Sequence, residues 1–501
     1  MSMLLQGIIN CFSGITFPLM IFGVAVGIIF GAIPGLNASI AIALFLPLTY
    51  TMNPITAFAF LVALHIGGVS GGLVSACLIN IPGTSSSVAT TFDGSPMVKA
   101  GYGRKALGTG TVFSFFGTIF GVLCLIGFAP LLAKFALKFG VYEYLAIAIF
   151  SLSLISVLAG KDMVKGLLAG LIGILVAMVG VAPVDGFARF TFGNHALDGG
   201  FSLVPTLVGM FAIPEIVKSA QGKNNATVIS LSKGEHSRGF GFSLKEMFAQ
   251  TKNFLLSAAI GTGIGILPGI GGGTSNILAY ATCKRVSKHP EKYGTGIMDG
   301  IVASESANNA TIGGAFIPLL ALGIPGDVIT AVLLGAFTIN GIAPGPQIFE
   351  THTVLVYTIF GALLVANLIM LILEYFGINV FVKILKIPQH ILMPFIMVLC
   401  CVGAYSVSNN IFDVYTLLGF GLLGLILQKF EFPRPPIVLG FVLAEMFEKN
   451  LRRTIQFSKG KISVFLTRPI ALVFLVLTIL ILLVTVISQV RGRKEKFDDD
   501  V

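Results

Sequence analysis

Glu305 has the most chemistry to offer in this chain. It stands in Ala303-Ser-Glu305-Ser-Ala-Asn308-Asn309-Ala-Thr311, a stretch otherwise apolar or neutral. An ionisable residue in such surroundings is functional by default, and three roles are open to it: binding a coupling cation, carrying a proton, or holding neighbouring backbone amides. Asp327, directly after Pro325-Gly326, and Asp93, directly before Gly94, are weaker candidates for the same coupling task, because a helix cap or a loop acid has the same local sequence. Neutral Ser, Thr, Asn and backbone oxygens suit a hard cation such as Na+, with H+ as the other possibility.

A second set of polar residues suits an anion. Short side chains and bare backbone gather at four Pro-Gly steps: Asn37 follows Pro34-Gly35; Asn80, Thr84, Ser85, Ser86 and Ser87 surround Pro82-Gly83; Gly271, Gly272, Thr274, Ser275 and Asn276 follow Pro268-Gly269; Asn308 and Asn309 precede Pro325-Gly326. Pro-Gly inside an apolar helix frees backbone groups, which is tolerated in lipid only where protein or a water-filled cavity satisfies them. A helix restarting after such a break points its amides and positive dipole end at the cavity, where an anion is favoured. Each step taken alone reads equally well as a kink with helix-packing serines. Their paired placement argues for a substrate site.

That pairing is a repeat. Gly27, Gly31, Pro34 and Gly35 return as Gly261, Gly265, Pro268 and Gly269, all 234 positions on. Gly71-Gly72 with an apolar run into Ile81-Pro82-Gly83 returns as Gly313-Gly314 with a run into Ile324-Pro325-Gly326. Broken apolar helices at corresponding places in two halves point to a transporter binding site.

The elements that carry these motifs are membrane helices. Apolar residues make up 55% of 501 positions and charged residues 11%, against about 25% charged in a soluble domain. The expected fold is an all-α polytopic membrane protein. With about 20 apolar residues needed per span, roughly 10 to 14 segments qualify, among them 107–132, 142–160, 164–182, 201–217, 353–375, 390–407, 412–428 and 469–490. The N-terminal stretch has no basic n-region and is expected to be retained. Six cysteines in apolar stretches, without metal-ligand spacing, read as small buried hydrophobes. Neither a metal nor an organic cofactor is expected.

Loop charge gives sidedness. The basic stretch 218–252 divides the chain and is expected on the cytoplasmic side, giving 1–217 as the first repeat with its following spans, 253–428 as the second, and 429–501 as C-terminal membrane segments with a basic tail. In the first repeat the linker Tyr50–Pro54 is uncharged and the exit carries Lys99, Arg104 and Lys105; in the second the linker carries Lys284, Arg285, Lys288 and Lys292 and the exit 346–352 has no Lys or Arg. Equivalent loops on opposite sides mean an inverted-topology repeat. The basic stretches 449–468 and 491–496 flank a single span, so the side of the C-terminus stays open. The net charge of +10 follows from these loops and the tail and implies no nucleic acid.

Three motifs are set aside. Gly68-Val-Ser70-Gly71 with His65 looks like an intramembrane serine protease, but the base precedes the serine on the same segment. The glycines of 261–273 lack the Lys-Ser/Thr of a nucleotide loop. His65 reads as a satisfied polar residue between helices.

The chain resembles the large membrane subunit of the tripartite tricarboxylate transporters, bacterial secondary carriers. The matching strings are Gly31-Ala-Ile-Pro-Gly-Leu36, Asn80-Ile-Pro-Gly-Thr84 through Asp93-Gly94-Ser-Pro-Met97, Leu267-Pro-Gly269, Ser287-Lys-His-Pro-Glu291, Glu305-Ser-Ala-Asn-Asn-Ala310 and Gly323-Ile-Pro-Gly-Asp327 with Pro344-Gly-Pro346. The resemblance implies a cation-coupled permease of the bacterial inner (cytoplasmic) membrane, not an enzyme. It also implies a small four-helix membrane subunit as partner and a periplasmic solute-binding protein that delivers an organic carboxylate such as citrate. An anion channel and, more remotely, an intramembrane enzyme are the alternatives.

Overall fold

The computed structural model describes residues 2–158, 162–221, 239–384 and 389–499. The described residues are helical apart from turns, loops and one two-residue antiparallel pair, Gly180–Val181 with Ala188–Arg189. Part of the expected basic linker, 222–238, lies outside the described residues. Two compact units form, each from two separate stretches: residues 1–133 with 212–409, and residues 134–211 with 410–501.

Among the described residues, five helices are long and apolar enough to cross a membrane: Pro54–Leu78, Gly103–Ala136, Thr353–Gly377, Ile411–Lys429 and Pro469–Ile487. The pair Met3–Cys11 and Thr16–Ala32, bent by 76°, makes a sixth if it counts as one span. Of the roughly 10 to 14 apolar segments read from the sequence, several are shorter or broken helices among the described residues. The apolar stretches at 142–160 and 164–182 form Val141–Ser153 and Met163–Ala177, helices of 13 and 15 residues, too short for a full crossing at 1.5 Å per residue.

The first unit contains both copies of the repeated motif, and helix packing shows why the glycines recur. Thr16–Ala32 lies against Pro54–Ser70, and Thr251–Ile266 against Met298–Leu322. A Cβ on Gly27 would strike the Leu64 carbonyl and one on Gly31 the Gly68 carbonyl; on Gly261 and Gly265 it would strike Ala307 and Thr311. Backbones meet directly, as small residues allow in lipid. These contacts also correct the alignment. Gly71 meets Ile28 and Gly314 meets Thr262, so Gly71 corresponds to Gly314 and Gly72 to Ala315, one residue away from the pairing that the glycine doublets suggest. The offset here is 243, the same as between Pro82-Gly83 and Pro325-Gly326. An adjacent pair of glycines is ambiguous in one dimension, and packing removes the ambiguity.

At each first break the chain leaves the helix at Ala32 or Ile266 and turns on a glycine in the left-handed region, Gly35 at φ 95° and Gly269 at φ 83°. Only glycine takes that conformation without strain. Helices resume at Ala38 and Gly271.

In the second unit, Met163–Ala177 packs on Arg434–Ser458 with Gly170 and Gly440 in backbone contact. Arg189 forms a two-pronged ion pair with Glu448, at 2.8 and 3.1 Å, and Arg452 joins both Glu448 and Asp185. The Arg452 guanidinium holds Asp185 below the usual carboxylate range.

The short helix Leu244–Ala249 is tied to the start of Gly103–Ala136 by the Lys105–Glu246 ion pair. Lys105 and the Ser243 amide bring the Glu246 carboxyl down from 4.5 to about 2. A depressed acid stabilises the folded form above its unfolded value and loses that contribution as pH falls through the folded one. The protection of the 243–249 amides relative to their intrinsic exchange rate at each pH should therefore be unchanged from neutral pH to about 4.5 and fall between there and about 2; Glu246→Gln should remove the pH step.

Candidate functional site

Glu305 is fully buried in the first half of Met298–Leu322, and among the described residues no basic side chain pairs with it. Neutral donors do. Thr90 Oγ1 donates to Oε1 at 2.5 Å, Ser114 Oγ donates to Oε2 at 3.0 Å, and Asn309 Nδ2 reaches Oε2 at 3.4 Å. Asn309 also donates to Ser114 at 2.7 Å and accepts from Ser70 at 2.9 Å. Thr90 lies within 3.1 Å of Ser304. Two helices from residues 54–136 thus bond to one carboxylate of the second repeat, and a third reaches it through Asn309. Hydroxyl and amide oxygens around an acid form a donor set that holds a proton or a small hard cation.

Beside this cluster two helix starts meet. Ser85 and Ser86 open the turn that runs into Val88–Lys99, and Gly271–Gly273 open Gly271–Val286. A Cβ on Gly273 would lie 3.5 Å from the Ser85 Cβ, and one on Gly272 would lie 3.0 Å from the Ser86 Cβ and 2.8 Å from Asn308 Oδ1. Asn308 is 1% exposed; its Oδ1 has no hydrogen-bond partner, and its Nδ2 faces the Glu305 carboxyl without reaching ordinary hydrogen-bond geometry. A buried orphan amide is costly and calls for an explanation such as a ligand.

His65 corrects an expectation. It is fully buried and neither ring nitrogen has a partner, so it is not the satisfied histidine that its apolar segment suggests. It packs on Phe316 with ring centroids 5.9 Å apart, and Asp327 is the charged group that acts on it. By the offset of 243 its counterpart is Asn308. The two unsatisfied polar side chains occupy equivalent positions.

The other candidates divide by geometry. Asp327 caps Val328–Ile339, accepting from Thr330 N and Oγ1 at 2.7 Å each, and lies beside Gly271. Asp93 is fully buried and its two oxygens take four donors: Tyr280 Oη at 2.9 Å and the amides of Gly294, Gly296 and Ile297 at 3.0, 2.8 and 3.0 Å. Asp93 therefore braces the loop leading into the Glu305 helix. Asn37 caps its own helix through Ile40 N at 3.0 Å, Asn276 accepts from Ala89 N at 2.8 Å, and Ser275 meets Thr311 at 2.7 Å. Asn80 and Thr274 are exposed.

Gly269 N donates to Gly326 O at 2.7 Å, joining the third and fourth breaks. Pro34-Gly35 forms the turn between Thr16–Ala32 and Ala38–Phe45. Gly83 and Gly326 face packed protein: a Cβ would strike Gly31 O and Ser75 in one case, Gly265 O and Ala315 in the other. Bulk at either position disrupts helix packing, so those glycines do not report on substrate approach. Separately, a cavity of about 510 Å³ is lined by Tyr102, Lys105, His289, Lys292 and Asp299 among others.

The family model of the tripartite tricarboxylate transporter TctA family matches residues 17–439. The chain belongs to that family. It is 35% identical over 474 residues to an uncharacterised 52.8 kDa protein in the TAR-I ttuC' 3' region of Agrobacterium vitis, covering 95% of this chain and 94% of that one. It is 37% identical over 236 residues to an uncharacterised protein in the TAR-II ttuC' 3' region of the same organism, covering 47% and 98%. No solved structure matches. Family membership and the apolar helices make this TctA-family chain a multi-pass membrane component of a transporter.

Replacing Asn309 by Leu would strip Glu305 and Ser114 of a donor and Ser70 of an acceptor. A loss of roughly 2–5 kcal/mol is expected, read as a clear fall in the melting temperature of the detergent-purified protein. Thr274→Leu, at an exposed position, should leave it unchanged.

Proposed function

We propose that this chain is the permease subunit of a tripartite, cation-coupled secondary transporter that imports a tricarboxylate-like organic anion across the bacterial inner membrane. The observation that carries this reading is the meeting of two helix starts, at Ser85–Ser86 and Gly271–Gly273, beside the orphan Asn308 amide. Backbone amides and dipole ends at both starts favour an anion. The unmet Asn308 donor and acceptor supply hydrogen bonds that orient it.

The coupling ion, Na+ or H+, is assigned to Glu305 with Thr90, Ser114 and Asn309. A periplasmic solute-binding protein delivers the carboxylate, and a small four-helix membrane subunit completes the complex. The two repeats are read as inverted because their equivalent loops differ in charge, 50–54 being uncharged and 284–292 basic. Halves of opposite orientation exchange conformations and so expose the site to each side in turn.

Proteoliposomes holding the permease, its small partner and the binding protein test this. Uptake of tricarboxylate should saturate, show counterflow and require a cation gradient. Flux that neither saturates nor needs a gradient would make the protein a channel. In a background lacking the six native cysteines, single cysteines at Asn53 and Gln347 should react with an impermeant thiol reagent from outside, and those at Tyr102 and His289 should not. Reaction of Asn53 and Gln347 from opposite sides would rule out inversion.

A further inference from the structure

Glu374 is a second buried acid that sequence reading passes over. It lies in Thr353–Ile384, is 1% exposed, and accepts from Thr111 Oγ1 at 2.8 Å through Oε2; its Oε1 has no partner. Asn367, seven residues earlier and fully buried, donates to the Phe115 carbonyl at 2.9 Å and has an unpartnered Oδ1. A polar seam therefore runs between Gly103–Ala136 and Thr353–Ile384.

This seam leads to Glu305. Thr111 holds Glu374 and Ser114 holds Glu305. Residues three apart share a helix face and lie about 4.5 Å apart along its axis, a gap that one water spans. Glu305 is the charge that acts on Glu374. Of the helices packed on Thr353–Ile384, Ser2–Cys11, Thr16–Ala32, Pro54–Ser70 and Gly72–Leu78 bring no Lys, Arg, Asp or Glu, their titratable groups being Cys11, His65 and Cys77; Ile348–Thr351 brings Glu350, at the opposite end of the helix from Glu374. Gly103–Ala136 brings Arg104, which lies 6.0 Å from the Tyr375 ring centroid and donates to Gly239 O, and Lys105, which pairs with Glu246. Glu374 thus sits between Glu305 and the charged, loop-bearing end of the helix. Two buried carboxylates with no basic partner cannot both remain ionised at low cost.

We propose that Glu374 is a proton-carrying residue that exchanges the proton of Glu305 with the Arg104–Lys105 end of the protein. In this relay the O–H proton of one carboxylic acid passes by way of the Ser114 hydroxyl, one bridging water and the Thr111 hydroxyl to the carboxylate of the other, each carrier giving up one proton as it takes another, and nothing is oxidised or reduced. The proposal rests on Glu305 being the coupling group.

The test is Glu374→Gln in the reconstituted complex, with infrared difference titration of the purified permease as a second arm that needs no transport. Proton-gradient-driven uptake should fall roughly tenfold or more, with a much smaller effect on substrate exchange. The C=O stretch of one protonated carboxyl should disappear, and Glu374→Asp should restore part of both signals. Wild-type proton-driven uptake in Glu374→Gln would overturn the relay, as would an unchanged carboxyl band or equal loss of uptake and exchange in folded protein. A native protein that gives the Glu374 band but carries no carboxylate would instead overturn the proposed substrate and leave the relay standing.

Discussion

A carboxylate without a counter-ion, enclosed by apolar helices, has to be met by neutral donors or it will not stay there. Glu305 imposes that constraint on the first unit. Removing a carboxylate from water costs several kcal/mol even after relaxation, and hydrogen bonds to a charged group return about 1.5–3 kcal/mol each. Thr90, Ser114 and Asn309 supply those bonds, and Ser70 fixes the Asn309 amide from a further helix. Each donor must arrive on a backbone close enough to reach. Glycine contacts such as Gly117 against Ser306 and Gly121 against Ala310 bring Gly103–Ala136 against the Glu305 helix. The packing of small residues and the satisfaction of the acid are one requirement.

The same closeness shapes the proposed anion site. Ser85–Ser86 and Gly271–Gly273 can meet only because no Cβ stands between them at Gly272 and Gly273. Asp93 holds the loop at 294–297 from the other repeat, which fixes where Met298–Leu322 begins and hence where Glu305 and Asn308 arrive. In this arrangement the groups proposed to hold the cation and the substrate are near neighbours on one helix, Glu305 and Asn308. Occupation of one site then changes the electrostatics of the other, which is the physical basis of coupling.

Much of this was legible in residue types and spacing. Composition indicated an all-α membrane chain, the Pro-Gly steps fall just after the helix ends at Ala32, Leu78, Ile266 and Leu322, and Glu305 stood out because a charge in an apolar run has few explanations. Span number was less legible: hydropathy cannot see the break after Ser153 or the end at Ala177, since neighbouring apolar residues continue the signal. Asp93 read as an acid near a glycine, and only folding brings Tyr280 and three loop amides to it. His65 read as satisfied because one dimension does not show that neither ring nitrogen meets a hydrogen-bond partner. Glu374 was hidden at the edge of an apolar run, where an acid commonly marks a helix end.

The account centres on two helix starts meeting around the carboxylate. Cysteines at Ser85 and Gly273 in a cysteine-free background measure this directly, because the Cβ separation of 3.5 Å falls within the range that a disulfide spans, about 3.5–4.5 Å. The account predicts rapid oxidation to an intramolecular disulfide, slowed by saturating tricarboxylate and unaffected by an uncharged analogue of the same size. Absence of the cross-link, or cross-linking at one rate whatever the carboxylate concentration in a permease that still transports, would contradict it.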